Sequence, residues 1–238
     1  MHSTGDQNHG AASPALRDDA CAMPVSGGVD VLLTGFESFG GAATNPSAAA
    51  AEAAARQLRA GGVSALALEL PCVFARTRAR LAAALREHRP RVVVACGLAG
   101  GARQVRLERV GINLRDARIP DNDGAQPVDE PVRADGPPAL FSTLPVKRAL
   151  QSLDAADVPA RLSLSAGSFV CNNVLYELLD LADAAVRAGF VHVPWDEAHA
   201  PQDCASLPAA QLAHALVLVA EAALDPAADL DRPGGALH

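Results

Sequence analysis

A chain of 238 residues with 50% hydrophobic content suits one large α/β domain around a single core. Its net charge of −7, with arginines scattered along the sequence, argues against the clustered positive charge that a nucleic-acid footprint or an anionic membrane surface needs. Five cysteines, Cys21, Cys72, Cys96, Cys171 and Cys204, form no CxxC pair and no Cys/His spacing typical of zinc. Their odd number makes a complete disulfide framework impossible, so a reducing cytoplasm fits best. The start of the chain lacks the basic region and apolar run of a signal peptide, and no stretch approaches the length of a membrane helix.

Residues 1–28 are rich in Ser, Gly, Asp, His and Pro without periodicity and read as a disordered leader. Val29 to Thr34 reads as a strand that runs into the glycine-bounded loop Gly35 to Gly41. Asn45-Pro46 then opens a helix over 46–60, with Asn as N-cap and Pro at the first position, and Gly61-Gly62 closes it. Val63 to Leu70 alternates as a strand, Ala75 to His88 is helical, and the apolar run Arg91 to Cys96 suits a central parallel strand followed by a turn at Gly97 to Gly101. Gln104 to Ile112 reads as one strand and Ile119 to Pro138 as a long loop. A helix over Pro145 to Asp154, a strand over Arg161 to Ser165, a helix over Cys171 to Arg187, a strand over Gly189 to Pro194 and a helix near 207–224 complete the pattern. Residues 225–238 lack one and read as a mobile tail. This alternation predicts a three-layer α/β/α sandwich with a largely parallel, mixed sheet, and a single catalytic domain over 29–224.

The stretch Gly167 to Val174 carries the chemistry, because it runs a small-residue loop into a helix with a cysteine at the junction. Amides of a helix's first turn lack intrahelical partners and carry partial positive charge, which favours a thiolate and predicts for Cys171 a pKa below the roughly 8.5 of a free thiol. Cys171 is the candidate nucleophile and His192, on the following short strand, the candidate base. Glu108 stands in an alternating strand where a carboxylate faces either the cleft, as the group that orients the histidine, or solvent, as an ion-pair face beside Arg109. The glycine loops match neither GxGxxG nor GxxxxGK[ST], which removes the usual phosphate cradles, and Ser38 and Ser168 lack the GxSxG elbow. In a chain with only 3% aromatic residues, Phe36, Phe39 and Phe169 all fall in predicted loops, where a purely structural Phe is less expected.

At these residues the chain resembles the pyroglutamyl peptidase I family of cytosolic cysteine peptidases. The resemblance rests on ordered blocks from about residue 29 to residue 220: Thr34 to Gly41, Asn45-Pro46-Ser47, Gly97 to Gly101, Glu108-Arg109-Val110, Asp116 to Asn122, Gln126-Pro127, Asp129-Glu130-Pro131, Phe141 to Pro145, Ala166 to Asn172 and Gly189 to Pro194. It implies an α/β/α fold, removal of an N-terminal pyroglutamyl residue from peptides, and a tetramer. It places the family's Cys/His/Glu triad on Cys171, His192 and Glu108. The pocket for the pyrrolidone ring falls on Phe36, Phe39 and Phe169 with Val170 beside them, Asn45 helps organise substrate binding, and Arg118 lies near the reacting carbonyl. The chemistry it implies needs no metal or cofactor. Ser38, Leu98 and Asn173 stand where the family usually has Pro, Gln and His. These departures keep open a same-fold cysteine hydrolase with altered acyl specificity, and a non-catalytic protein that has kept the pocket.

Overall fold

The computed structural model describes residues 27–235; the leader expected over 1–28, with Cys21, and the end of the tail lie almost wholly outside the described residues. A sheet of six strands is built in the order β2 (Ala65–Leu70), β1 (Val31–Phe36), β3 (Val92–Leu98), β8 (Arg187–Val193), β4 (Val105–Glu108) and β7 (Ala160–Ser163). The first four run parallel, and β4 pairs antiparallel with β8 while lying parallel to β7. The mixed sheet predicted from the β/α alternation is therefore present. Two short pairs lie outside it: β5 (Val110–Ile112) with β6 (Ala139–Phe141), and β9 (Trp195–Asp196) with β10 (Ser206–Leu207).

Because successive strand residues face opposite sides, each strand feeds two cores. Val31, Leu33, Val92, Val94, Val191 and Leu107 pack under α1 (Pro46–Ala60), α3 (Val146–Ala155) and α5 (Ala209–Leu224). Leu32, Phe36, Val93, Ala95, Ala188 and Phe190 pack under α2 (Phe74–His88) and α4 (Val170–Leu181). The alanine-rich composition has a geometric use here: Ala50, Ala51, Ala54 and Ala55 of α1 are all buried, so α1 approaches the sheet and α5 closely. α1 lies on one face and α2 on the other, so the chain reverses direction across the sheet between β1 and β3, where open α/β sheets form their binding crevice.

Four local expectations are corrected. The strand expected to end at Cys96 continues through Gly97 and Leu98, because Leu98 pairs with Val193 of β8. The single strand expected over 104–112 breaks at Arg109, and β4 and β5 join different sheets. Glu108 is therefore on an interior strand rather than a solvated edge and is 0% exposed. The helix expected to reach Arg187 stops at Leu181, since Arg187 is needed as the first residue of β8 beside Val92. Phe36, expected in a loop, ends β1 and is buried. The segment after α5 forms no helix or strand, yet it is tied down: Asp229 accepts the Lys147 and Arg148 amides at the start of α3, and Arg187 donates to the carbonyls of Ala223, Asp225, Pro226 and Ala227.

Candidate active site

Cys171 is the second residue of α4, whose N-cap Phe169 is extended and offers no side-chain cap. The helix runs back across the sheet from the ends of β3 and β8, which sets the thiol over Gly97. A Cβ built on Gly97 would lie 2.9 Å from Cys171 Sγ and 2.8 Å from Phe190 Cζ, so only glycine leaves room for the sulfur. Gly97 is the cross-strand neighbour of His192, and His192 packs on the Phe190 ring with centroids 4.8 Å apart. Phe190 in turn pairs in register with Glu108. One sheet face thus brings the thiol, the imidazole and the carboxylate together.

His192 Nδ1 lies 2.9 Å from Glu108 Oε1, and both side chains are buried. That contact favours a proton on Nδ1, facing the carboxylate, and leaves Nε2 as the acceptor nitrogen. The acid is in place to hold the ring's tautomer and to stabilise an imidazolium when one forms.

The thiol departs from its sequence expectation. Burial pushes Cys171 above an ordinary thiol, with Cys72, Cys96 and Glu108 adding to the rise, and its own helix-start amide opposes this only in part. The helix N-terminus loses to desolvation because the sulfur sits in an apolar niche. Burial thus favours the thiol over the thiolate in the unliganded protein. Among the other described cysteines, Cys72 is pushed up to about 12 by burial, Glu37 and Asp121, burial raises Cys96, and Cys204 is exposed. Limiting iodoacetamide should accordingly modify Cys204 without loss of activity. Alkylation of Cys171 should remove activity at a rate still climbing above pH ~8.5. Peptide mapping across a pH series checks this, and a Cys171 rate already level at neutral pH would mean a resting thiolate.

The predicted pocket residues divide. Phe39 and Phe169 are half-buried partners with ring centroids 6.0 Å apart, and the Phe74 ring meets Phe169 edge-on at 5.3 Å. Phe36 instead packs against Phe190 at 6.3 Å, and Val170 is buried in the core, so these two support the site from beneath. Asn45 spends its side chain within its own loop: Oδ1 accepts from the Ser47 amide and hydroxyl, and Nδ2 donates to the Glu37 carbonyl. Phe36, Glu37, Asn45, Asp196 and His199 line a cleft of about 420 Å³. Arg118 is exposed, with no hydrogen bond or ion pair among the described residues.

Sequence reasoning missed the groups that hold the helix carrying Cys171. Asn172 clasps the 112–114 backbone through the Ile112 amide and the Ile112 and Leu114 carbonyls. Asn173 accepts from Arg115 Nε at 2.6 Å and donates to Thr77 Oγ1 at 2.5 Å. Arg115 lies 5.8 Å over the Phe74 ring, which carries this bracing to Phe169. Two adjacent amide side chains inside a helix compete with its backbone unless they are engaged elsewhere, which was a readable signal. Phe190, two residues before His192 on one strand, was another.

The sequence profile of the pyroglutamyl peptidase family matches residues 29–226. The pyrrolidone-carboxylate peptidase of Streptomyces coelicolor is 49% identical over 214 residues, covering 87% of this chain and 99% of that protein. Its counterpart in Klebsiella pneumoniae is 44% identical over 212 residues, with 87% and 99% covered. In three dimensions the chain is similar to the crystal structure of pyroglutamyl peptidase I from Bacillus amyloliquefaciens, with a TM-score of 0.80 at 37% identity over 87% of this chain and 100% of that one. The pyrrolidone carboxyl peptidase from Thermococcus litoralis gives 0.75 at 31% identity, with 86% and 99% covered. With the fold, the thiol at a helix start and this extent of likeness in agreement, the chain belongs to the pyroglutamyl peptidase family and is a cysteine peptidase of that type.

Proposed function

We propose that this protein removes an N-terminal pyroglutamyl residue from peptides through Cys171, His192 and Glu108. The observation that carries this reading is the 2.9 Å contact between His192 Nδ1 and Glu108 Oε1 beside a sulfur seated over Gly97, His192's neighbour in the sheet. A pyroglutamyl residue has no free α-amine, so a site that reads an ammonium cannot hold it. A flat neutral ring packs against an aromatic wall, and the Phe39–Phe169 pair supplies one.

Attack begins as the thiol proton passes to His192 Nε2 and sulfur bonds the pyroglutamyl carbonyl carbon. The resulting oxyanion is met by free amides of the first turn of α4. His192 then gives its proton to the leaving nitrogen as the C–N bond breaks, and Glu108 holds the ring throughout. Water adds to the thioester, with His192 again taking a proton, and releases pyroglutamate and the thiol.

Release of fluorophore from pyroglutamyl-aminomethylcoumarin by the purified protein tests this reading, with the prolyl analogue as comparison. A ring lacking the lactam carbonyl leaves polar groups of the site unpaired and should be turned over far more slowly. In the same assay Phe39→Ala and Phe169→Ala should each lower kcat/KM by about 5- to 150-fold, the loss of an aromatic contact worth roughly 1–3 kcal/mol. Their melting temperatures should move less than that of Phe190→Ala, because both rings are half-buried and Phe190 is in the core. Unfolding of both variants with normal kinetics in the surviving fraction would assign the rings to the core.

A further inference from the structure

We propose that Arg106, with Arg161 beside it, binds a carboxylate on the leaving side of the scissile bond, so that the protein favours pyroglutamyl peptides whose next residue presents an acid. The inference rests on the preceding reading of Cys171 and His192.

Arg106 is two residues before Glu108 on β4, so it shares the sheet face that carries the site, while Val105 and Leu107 belong to the opposite core. It is the antiparallel partner of His192, and directly opposed residues of such a pair have Cβ atoms about 4.5–5.5 Å apart. On its other side Arg106 pairs in parallel register with Arg161 of β7. No carboxylate lies within 4.0 Å of either guanidinium among the described residues, although Glu108 is on the same strand face, bound to His192. Arg106 is half-buried, and its Nε is buried without a hydrogen-bond partner among the described residues. Two arginines in register on neighbouring strands place like charges on one patch, and in a chain of net charge −7 the lack of a counter-carboxylate among the described residues is conspicuous.

The order of groups across the sheet assigns the ligand to the leaving side. The aromatic pair Phe39 and Phe169 adjoins Phe74 beyond the end of β2, the thiol lies over β3, the imidazole is on β8 and the arginines are on β4 and β7. With the acyl ring among the phenylalanines and the carbonyl at sulfur, the nitrogen protonated by His192 points toward Arg106. An arginine fork binds a carboxylate there in two parallel hydrogen bonds. The carboxylate comes either from the side chain of the residue after pyroglutamate or from the free C-terminus of a dipeptide.

The test measures kcat/KM of the full chain on pyroglutamyl-glutamate amide, pyroglutamyl-alanine with a free carboxylate, pyroglutamyl-alanine amide and pyroglutamyl-lysine amide. At low ionic strength one or both acids should exceed the alanine amide by about 3- to 10-fold, as expected of a partly exposed ion pair, and the lysine amide should fall below it. Whichever acid is favoured identifies the source of the carboxylate. The advantage should shrink at about 0.5 M salt. It should fall close to one in Arg106→Met and be partly kept in Arg106→Lys, with the ratio between substrates read within each variant. Equal use of acid and amide by the wild-type protein, or an undiminished preference in Arg106→Met, overturns the proposal. If Arg106→Met does not fold, Arg161→Gln and the salt series on the wild type decide. Failure of the wild type to cleave the alanine amide at all would instead overturn the reading of the active site.

Discussion

Cys171→Ala should lower kcat/KM for pyroglutamyl-aminomethylcoumarin by about 10⁵-fold or more, since removing the nucleophile of a hydrolytic triad disables the unit as a whole. Alanine keeps the helix, and the sulfur makes no hydrogen bond to another side chain among the described residues, so the melting temperature should stay within a few degrees. His192→Ala should be comparably inactive but less stable. Glu108 is 0% exposed, and without the imidazole its carboxylate is buried with no partner, a situation that costs about 3–5 kcal/mol for broken buried pairs. His192→Gln keeps a donor toward Glu108 and separates the two effects. Glu108→Gln should harm less than either, because its oxygen still accepts from Nδ1 and only the stabilisation of the imidazolium is lost. Thermal melts and single-turnover kinetics on the four variants check the set. Full activity in Cys171→Ala would end the nucleophile assignment.

Gly97→Ala should lower kcat by about 10²-fold or more, although glycine brings no side chain to the chemistry. Its methyl group would lie 2.9 Å from Cys171 Sγ and 2.8 Å from Phe190 Cζ, closer than atoms tolerate. The sulfur, the ring or β3 must yield, and displacing a nucleophile by about 1 Å costs on the order of 10²-fold. Overpacking also destabilises by about 1–3 kcal/mol. Gly97 adopts no left-handed backbone, so the penalty is purely one of space. A urea melt and a kcat measurement separate the two losses. An active, stable Gly97→Ala protein would show that the thiol is not held against β3.

The element pattern was legible because it rests on local rules. Asn45-Pro46 does cap α1, with the Asn45 side chain accepting from the Ser47 amide, and the apolar run at Arg91 is buried on both faces as a central strand. Cys171, His192 and Glu108 were legible as residue types with a helix start and two strands to carry them. The order and spacing of the sequence blocks around them also sufficed to mark the family resemblance. Periodicity could not say which strands become neighbours, and this decided the rest. Pairing of β4 between β8 and β7 decided between the two readings of Glu108, burying it, and set Arg106 opposite His192. Packing of α4 against β3 made Gly97 a steric determinant, and it replaced the low pKa that a helix terminus suggests with a thiol raised by burial. The charge at a helix end is a local property that sequence determines, whereas desolvation is the sum of everything packed around an atom and exists only once the chain has folded.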